Sequence, residues 1–314
     1  MEKTEVAIEL SGITKTFGTV IANDNIDLSV NSGEIIALLG ENGSGKTTLM
    51  NMLSGLYHPD SGTIHVKGQQ VSINSPKDSF ALGIGMIHQH FKLVDVLSAR
   101  ENILMGTKRI AKKEDKTSKS SIEEISKRFG LEIDLDKKIY DMSVSEKQTV
   151  EILKVLYRGA DILILDEPTA VLTPQEIDKL FLILRKMRDE GCAIVIITHK
   201  LNEVLAVSDR VTILRKGKSV ATVITSETNA SQLTELMVGK PVVLAIDRPD
   251  TEKEPAVLEV VWLGVKNSEG ANALNDLSFT ISGGEILGVA GVAGSGQKEL
   301  CEAIAGLLKI KEGA

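Results

Sequence analysis

The sequence has few aromatic residues, few cysteines, no long apolar run and no excess of basic residues. Phe, Trp and Tyr make up 3% of the 314 residues, and two cysteines are too few for a disulfide-dependent fold. Apolar runs such as Ile35–Leu39 are far shorter than the roughly 20 residues of a membrane-spanning helix. The net charge of −7 argues against a broad surface for nucleic acid. The composition therefore predicts a reduced, globular protein with neither a membrane span nor a nucleic-acid partner.

The chain does contain an internal repeat, at an offset of 251 residues. Segment 22–46 reads ANDNIDLSVNSGEIIALLGENGSGK, and segment 273–297 reads ALNDLSFTISGGEILGVAGVAGSGQ. Glycines of the two segments fall in register, for example Gly40 with Gly291 and Gly45 with Gly296. We therefore predict three parts: a complete unit over 1–245, a proline-bearing linker over 240–255, and the beginning of a second copy over 256–314.

The second copy is short, at about 60 residues, and so cannot bury an adequate core alone. Two explanations are open. The chain is a truncated piece of a longer tandem protein, which we favour, or it is a natural half-protein whose short second part packs on the first unit.

The first unit alternates short apolar runs with stretches of helical periodicity. Runs 162–166 and 193–198 have the composition of central parallel strands that are buried on both faces. Residues 34–40 predict another strand, which a helix over 46–56 follows. Shorter strands are predicted at 6–10, 25–30, 62–66 and 70–73. The sequence therefore predicts an α/β domain with a mainly parallel sheet and an antiparallel β flank.

The most specific motif is GENGSGKT at residues 40–47, which matches G-x-x-x-x-G-K-[ST] completely. Glycines allow backbone N–H groups to surround phosphate oxygens, and the N-terminus of the following helix favours negative charge. Lys46 would neutralise the β- and γ-phosphates, and the Thr47 hydroxyl would ligate Mg²⁺. The predicted nucleotide-binding residues here are Gly40, Glu41, Asn42, Gly43, Ser44, Gly45, Lys46, Thr47 and Thr48.

Two acids follow the apolar run that begins at Ile162. Asp166 is predicted to hold Mg²⁺ through water, and Glu167 is placed where it could polarise an attacking water molecule. An apolar run that ends in two acids is often only a strand leaving the core. The intact phosphate loop elsewhere in the chain favours the functional interpretation.

These motifs together resemble the ATP-binding subunit of an ABC transporter. The resemblance adds three segments to the phosphate loop, namely MIHQHF at 86–91, SVSEK at 143–147 and DEPT at 166–169. The two-unit layout is similar to the tandem ATPases of bacterial importers for simple sugars and nucleosides. The resemblance implies a P-loop NTPase fold with a helical lobe, and ATP and Mg²⁺ as cofactors.

The resemblance also implies roles for single residues. Phe17 falls where an aromatic ring usually stacks on adenine, with an ordinary core phenylalanine as the alternative. Gln89 matches the glutamine that contacts Mg²⁺ and the attacking water, and His199 matches the histidine that contacts the γ-phosphate. The implied catalytic set is therefore Glu167, His199, Gln89 and Lys46, with Thr47, Gln89 and Asp166 around the metal.

The signature segment is expected to begin a helix and present it to nucleotide held by an opposing unit. Its implied nucleotide-binding residues are Ser143, Ser145 and Glu146. The family usually has glycine where Ser145 stands. In the second phosphate loop, Gln297 and Lys298 stand where Lys46 and Thr47 stand in the first. Since an altered signature would face an altered loop in a head-to-tail dimer, we hypothesise one competent and one degenerate composite site.

The leading hypothesis is an ATPase subunit that energises import of a small polar solute, a simple sugar or a nucleoside. Its implied partners are integral-membrane permease subunits, a second ABC unit and, indirectly, an extracellular or periplasmic solute-binding protein. It would act as a peripheral protein at the cytoplasmic face of the cell membrane. One alternative is a non-catalytic nucleotide-binding or regulatory module. Another is a soluble ribosome-associated ABC protein, against which the short linker and the acidic net charge argue.

Overall fold

A computed structural model describes residues 5–107, 116–240, 254–267, 270–291 and 294–314. The chain divides into two compact units, Met1–Leu244 and Ala245–Ala314. Most of the predicted linker, 240–255, lies outside the described residues, so the linker stays a prediction. Within the described ranges, no helix is long and apolar enough to cross a bilayer.

The first unit contains two sheets. Its strands are β1 Val6–Phe17, β2 Val20–Asn31, β3 Ile35–Leu39, β4 Ser61–Val66, β5 Gln69–Val71, β6 Ile84–Ile87, β7 Ile162–Asp166, β8 Ala193–Ile197, β9 Arg210–Arg215 and β10 Lys218–Ile224. The larger sheet has the order β10-β9-β3-β8-β7-β6, and all its neighbouring pairs are parallel except the antiparallel β9–β10 pair. The smaller sheet, β2-β1-β4-β5, is antiparallel throughout. The predicted fold class is confirmed.

Helices cover the larger sheet and form a separate lobe beside it. They are α1 Lys46–Leu53, α2 Pro76–Ala81, α3 Ala99–Leu104, α4 Lys116–Phe129, α5 Val144–Tyr157, α6 Pro174–Asp189, α7 Leu201–Val207 and α8 Ala230–Val238. Helix α1 ends three residues before the predicted end at Leu56. Gly55 has φ +75°, and a Cβ there would lie 2.3 Å from the Ser75 carbonyl. The chain turns at this point instead of continuing the helix.

The two faces of β3 bury alternate residues in different cores. Ile35 packs with β8 residue Ile194 and with side chains of α5 and α6. Ile36 and Leu38 pack on the other face, with α1 and the antiparallel sheet. The central strands are therefore apolar on both faces, which explains why they could be predicted from unbroken apolar runs.

The second unit contains β11 Ala256–Lys266, β12 Asn272–Ser282 and α9 Gln297–Ile304. The two strands pair antiparallel, and Val260, Leu263 and Leu300 form part of their shared core. Ile35 of β3 is 0% exposed, but Ile286, its counterpart in the repeat, is 97% exposed. In the described part of this unit, the residues that repeat β3 pair with no neighbouring strand.

Candidate functional site

Four neighbouring strands of the larger sheet end at the same edge. Strand β3 leads into the phosphate loop, β6 into Gln89, β7 into Glu167 and β8 into His199. Parallel pairing aligns these ends, since Leu38 and Asp166 both lie opposite Ile197. Ligands of open α/β sheets bind outside the carboxyl ends of the strands. The fold thus collects segments that are far apart in the sequence at one edge.

The phosphate loop, residues 40–47, requires glycine at positions where the backbone packs closely. Gly45 has φ +98° and forms the N-cap of α1, and a Cβ there would lie 2.3 Å from the Ala22 carbonyl oxygen. A Cβ on Gly40 would lie 2.3 Å from the Leu214 carbonyl oxygen. The buried Asn23 amide donates from Nδ2 to the Gly45 carbonyl at 3.2 Å. The β1–β2 hairpin therefore supports the loop at the point where the helix begins.

Lys46 lies within this loop and is only 7% exposed. Its Nζ donates to the carbonyl oxygens of Gly40 and Glu41, both at 2.9 Å, and is 3.4 Å from Ser44 Oγ. Burial lowers the pKa of this ammonium group, and the negative charges of Glu167 and Asp166 partly oppose that shift. The ammonium group is thus held inside the loop, near Asp166 at the end of β7 and Glu167 just after it.

Those two acids have different surroundings. Asp166 is 8% exposed, and burial raises the pKa of its carboxyl group. The neighbouring Glu167 adds to this rise, whereas Lys46 opposes it. Glu167 has φ +47° and donates its backbone N–H to the Ile197 carbonyl at 2.9 Å. This left-handed backbone turns the chain at the strand end, after which the Glu167 carboxylate meets Gln89 and His199.

The Glu167 carboxylate contacts the side chains of Gln89 and His199. Gln89 donates from Nε2 to Glu167 Oε2 at 3.0 Å, and His199 Nδ1 lies 2.9 Å from Glu167 Oε1. An ionised carboxylate can only accept hydrogen bonds, so Nδ1 carries the proton in this contact. Gln89 and His199 are exposed, so the cluster is open to solvent.

Phe17 ends β1 and is 42% exposed, so it is not an ordinary core phenylalanine. Its ring meets the Tyr57 ring edge-on, with centroids 5.2 Å apart and planes at 72°. Asp60 fixes the preceding residues, because it accepts hydrogen bonds from Lys15 Nζ and from the Thr16 backbone, both at 2.7 Å. These contacts fix the chain beside Phe17 and leave its ring exposed, while its role in adenine binding stays a prediction.

The signature segment begins α5, which packs against α3 and α4 in the helical lobe. Ser143 is the N-cap of α5, and its Oγ and the Glu146 carboxylate complete a capping box. Lys137 Nζ donates to Glu146 at 2.8 Å. Ser145 is half-buried on the first turn of α5. In the part of the chain that the structure describes, these side chains make no hydrogen bond to the phosphate loop. Their proposed partner is an opposing unit.

Two residues that stabilise the site had little or no signal in the sequence, Gln148 and Tyr57. Gln148 follows the signature, and its Nε2 donates to the Pro168 carbonyl at 2.9 Å, which joins α5 to the segment after Glu167. Its position beside a motif could have drawn attention to it. Tyr57 carries no such signal, because its contact with Phe17 depends on how β1 meets the turn after α1.

In the second unit, Gln297 begins α9 as Lys46 begins α1. A Cβ on Gly291 would lie 2.5 Å from Gln297 Nε2, so the amide fills the space beside this glycine. Lys298 points outward and pairs weakly with Glu302 at 3.8 Å. A neutral amide thus replaces the buried ammonium group, and the catalytic weakness of this loop stays a prediction.

The parallel sheet and the phosphate loop that joins β3 to α1 define a P-loop NTPase. The family model for ABC transporters matches residues 23–170. Residues 23–170 therefore carry the domain that this family model describes.

Several relatives are similar over almost the whole chain. The nucleoside import ATP-binding protein NupA of Lactococcus lactis subsp. cremoris is 49% identical over 313 residues, 99% of this chain and 62% of its own length. The guanosine import ATP-binding protein NupO of Bacillus subtilis is 48% identical over 98% of this chain and 61% of its own length. The chain thus spans about three fifths of these relatives.

Solved structures support the fold. An ATP-binding cassette of an ABC transporter in its ADP conformation has a TM-score of 0.67 at 24% identity, covering 76% of this chain and 100% of its own. A dimeric bacterial ABC transporter cassette has a TM-score of 0.61 at 26% identity, covering 69% of this chain and 98% of its own.

Proposed function

We propose that this chain is the nucleotide-binding part of an importer subunit that hydrolyses ATP to drive uptake of a small polar solute. The observation that carries the proposal is the Glu167 carboxylate, which is held between Gln89 and His199 beside the Lys46 loop. Phosphoryl transfer depends mostly on positioning and on stabilisation of charge. These residues supply both functions at one edge of the sheet.

In the proposed reaction, backbone N–H groups of the phosphate loop and Lys46 bind the β- and γ-phosphates. Phe17 stacks on the adenine. The oxygen of a water molecule attacks the γ-phosphorus while Glu167 accepts a proton from that water. The bond between the γ-phosphorus and the bridging oxygen of ADP then breaks. Gln89 and His199 orient the carboxylate and the water. The products are ADP and inorganic phosphate.

The donor set suits Mg²⁺ bound together with nucleotide. Within the described residues, no group of three or more His, Cys, Asp or Glu side chains could hold a metal ion alone. Mg²⁺ beside phosphates needs only one or two carboxylates, with the remaining ligands from phosphate and water. Thr47, Gln89 and Asp166 would supply oxygen ligands, and the raised pKa of the Asp166 carboxyl reflects a burial that a divalent cation would offset. When bound, the ion would neutralise charge on the phosphates.

The transport proposal depends on the relatives. Two carry names for nucleoside and guanosine import, and a third, 41% identical, is a ribose import ATP-binding protein of Streptomyces avermitilis. A solved relative, 25% identical with a TM-score of 0.61, is a cassette dimer in a post-hydrolysis state with ADP and phosphate. We therefore infer that the solute is a nucleoside or a simple sugar. The expected partners are a second ABC unit in a head-to-tail dimer, membrane permease subunits and, indirectly, a solute-binding protein. The expected location is the cytoplasmic face of the membrane.

Glu167→Gln tests the proposal, with Glu132→Gln, at an exposed position on the same unit, as the matched control. MgATP affinity is measured by calorimetry, and hydrolysis is measured in single turnover with protein in excess. Glu167→Gln should bind MgATP as the wild type does but lose about 10²–10⁴-fold in hydrolysis rate. Glu132→Gln should match the wild type in both measurements. Chelation of Mg²⁺ with EDTA should stop hydrolysis.

Two results would overturn the proposal. Absence of any heat of association between MgATP and the wild type would remove the nucleotide site. An unchanged hydrolysis rate in Glu167→Gln would remove the assigned base. Tight MgATP binding without turnover, also in the assembled transporter, would favour the non-catalytic nucleotide-binding module instead.

A further inference from the structure

Glu203 is a carboxylate that the proposed reaction leaves unused. It lies in the first turn of α7, which follows β8 closely, and is only 8% exposed. Burial of a carboxylate is costly unless hydrogen bonds and a positive charge satisfy it. The groups that contact the Glu203 carboxylate therefore indicate its role in the structure.

Three side chains satisfy the Glu203 carboxylate. Thr169 Oγ1 donates to Oε2 at 2.6 Å, and Thr198 Oγ1 donates to the same oxygen at 3.2 Å. Lys200 Nζ lies 2.9 Å from Oε1. Each hydroxyl also accepts a hydrogen bond from Lys200: Thr169 Oγ1 from Nζ at 3.3 Å, and Thr198 Oγ1 from the backbone N–H at 3.1 Å. Because each hydroxyl has one proton, both protons are directed to Glu203.

The two threonines belong to the segments that carry Glu167 and His199. Thr169 lies two residues after Glu167, and Thr198 immediately precedes His199. One carboxylate oxygen therefore joins the chain after β7 to the chain after β8. Lys200 joins the same segments again, because its Nζ donates to the Thr169 backbone carbonyl at 3.1 Å.

We propose that Glu203 is a positioning residue for ATP hydrolysis, which sets the placement of the His199 imidazole against the Glu167 carboxylate. This inference rests on the proposed function. Glu203 acts through the two threonines and leaves nucleotide binding to the phosphate loop. Since a misplacement of about 1 Å at a reacting group can cost roughly 100-fold in rate, loss of this junction should slow hydrolysis more than it weakens binding.

The test uses the full chain with Glu203→Ala, Glu203→Gln and the control Asn202→Ala, an exposed position on the same helix. Hydrolysis in single turnover and MgATP affinity are measured for each. Glu203→Ala should lose about tenfold or more in rate while its Kd for MgATP stays within about twofold. Glu203→Gln keeps one oxygen that accepts both hydroxyls, so it should retain more activity. Asn202→Ala should match the wild type.

A second readout needs no turnover. In protein labelled with ¹⁵N-histidine, the His199 imidazole signal is assigned by comparison with His199→Gln. The wild-type protein should show one Nδ1-protonated form, and Glu203→Ala should shift this signal toward a mixture of tautomers. Asn202→Ala should leave it unchanged. If Glu203→Ala does not fold, Thr198→Val serves instead, because valine has a similar shape but lacks the hydroxyl donor. It should lower the hydrolysis rate and shift the His199 signal in the same direction as expected for Glu203→Ala, but to a smaller extent.

The outcomes separate this inference from the proposed function. A wild type that binds MgATP without turnover would refute the proposed function, while the His199 signal would still report whether Glu203 holds the pair. An unchanged rate and an unchanged His199 signal in Glu203→Ala would overturn the inference. Equal losses in rate and in MgATP affinity would also overturn it, because they would indicate a general structural role.

Discussion

Alanine at position 45 would test whether the phosphate loop is shaped by close contact with the β1–β2 hairpin or only by backbone conformation. Gly45 has φ +98°, and a Cβ there would lie 2.3 Å from the Ala22 carbonyl oxygen and 2.6 Å from Asn23 Nδ2. Gly43, in the same loop, has φ +81° but has no atom within 4 Å of the Cβ position. Gly43→Ala therefore provides the matched control, since it adds backbone strain without a clash.

The expected magnitudes follow from these two terms. Left-handed backbone costs an alanine about 1–2 kcal/mol. The Cβ of Gly45→Ala would also stand roughly 1 Å inside ordinary contact distance, and relief of such overpacking costs about 1–3 kcal/mol. Gly45→Ala should thus lose roughly 2–5 kcal/mol in free energy of unfolding, against about 1–2 kcal/mol for Gly43→Ala.

Thermal unfolding and MgATP binding together check this reasoning. For a domain of this size, the melting temperature should fall by roughly 4–20 °C in Gly45→Ala and by roughly 2–8 °C in Gly43→Ala. A shift of about 1 Å at the N-terminus of α1 misaligns several N–H donors worth about 1 kcal/mol each, so affinity should fall at least tenfold in Gly45→Ala. Equal effects of the two substitutions on stability and binding would refute the close-contact argument.

Two further predictions concern titratable groups. Cys192 is buried, and burial raises the pKa of its thiol to about 11. At pH 8, a thiol reagent should therefore label the exposed Cys301 and reach Cys192 only after unfolding. Rapid labelling of both thiols in the folded protein would contradict this prediction. Hydrogen bonds from Lys15 and Thr16 lower the pKa of Asp60 from 3.8 to about 2. The depressed pKa means that Asp60 contributes stability above about pH 4 that is lost as the pH falls toward 2. The stability difference between wild type and Asp60→Asn should therefore narrow over this window, and a carboxyl NMR midpoint near 4 would disprove the assignment.

The sequence predicted the parts of the fold that depend on local pattern. Strands β7 and β8 are apolar on both faces, so unbroken apolar runs marked them within one residue at each end. The phosphate loop is a contiguous motif and needs no knowledge of the fold. The hairpin strands β1 and β2 were predicted too short, because they continue through polar residues on a half-exposed face.

Contacts that join distant segments could not be predicted in the same way. Asp60 reaches Thr16 across 44 residues of sequence, and Glu203 reaches Thr169 across 34. Neither carboxylate belongs to a motif, and each would pass for a solvated surface acid. Their partners become evident only when the parallel sheet or the turn after α1 brings the segments together. The grouping of Gln89, Glu167 and His199 was implied by family resemblance, and the strand order supplies its physical reason.

The hydrogen bonds of Lys46 to its own loop have a consequence for selectivity among anions. The Lys46 ammonium group is paired with the carbonyls of Gly40 and Glu41, and these contacts would compete with those to a bound phosphate. The net free energy of binding an anion is therefore the difference between its interaction with Lys46 and the interaction of the two carbonyls with Lys46. A lone phosphate or sulfate, with few other contacts, gains little from that exchange. A triphosphate also engages the helix terminus and carries a base, so we expect the loop to bind a nucleoside triphosphate more tightly than free phosphate or sulfate.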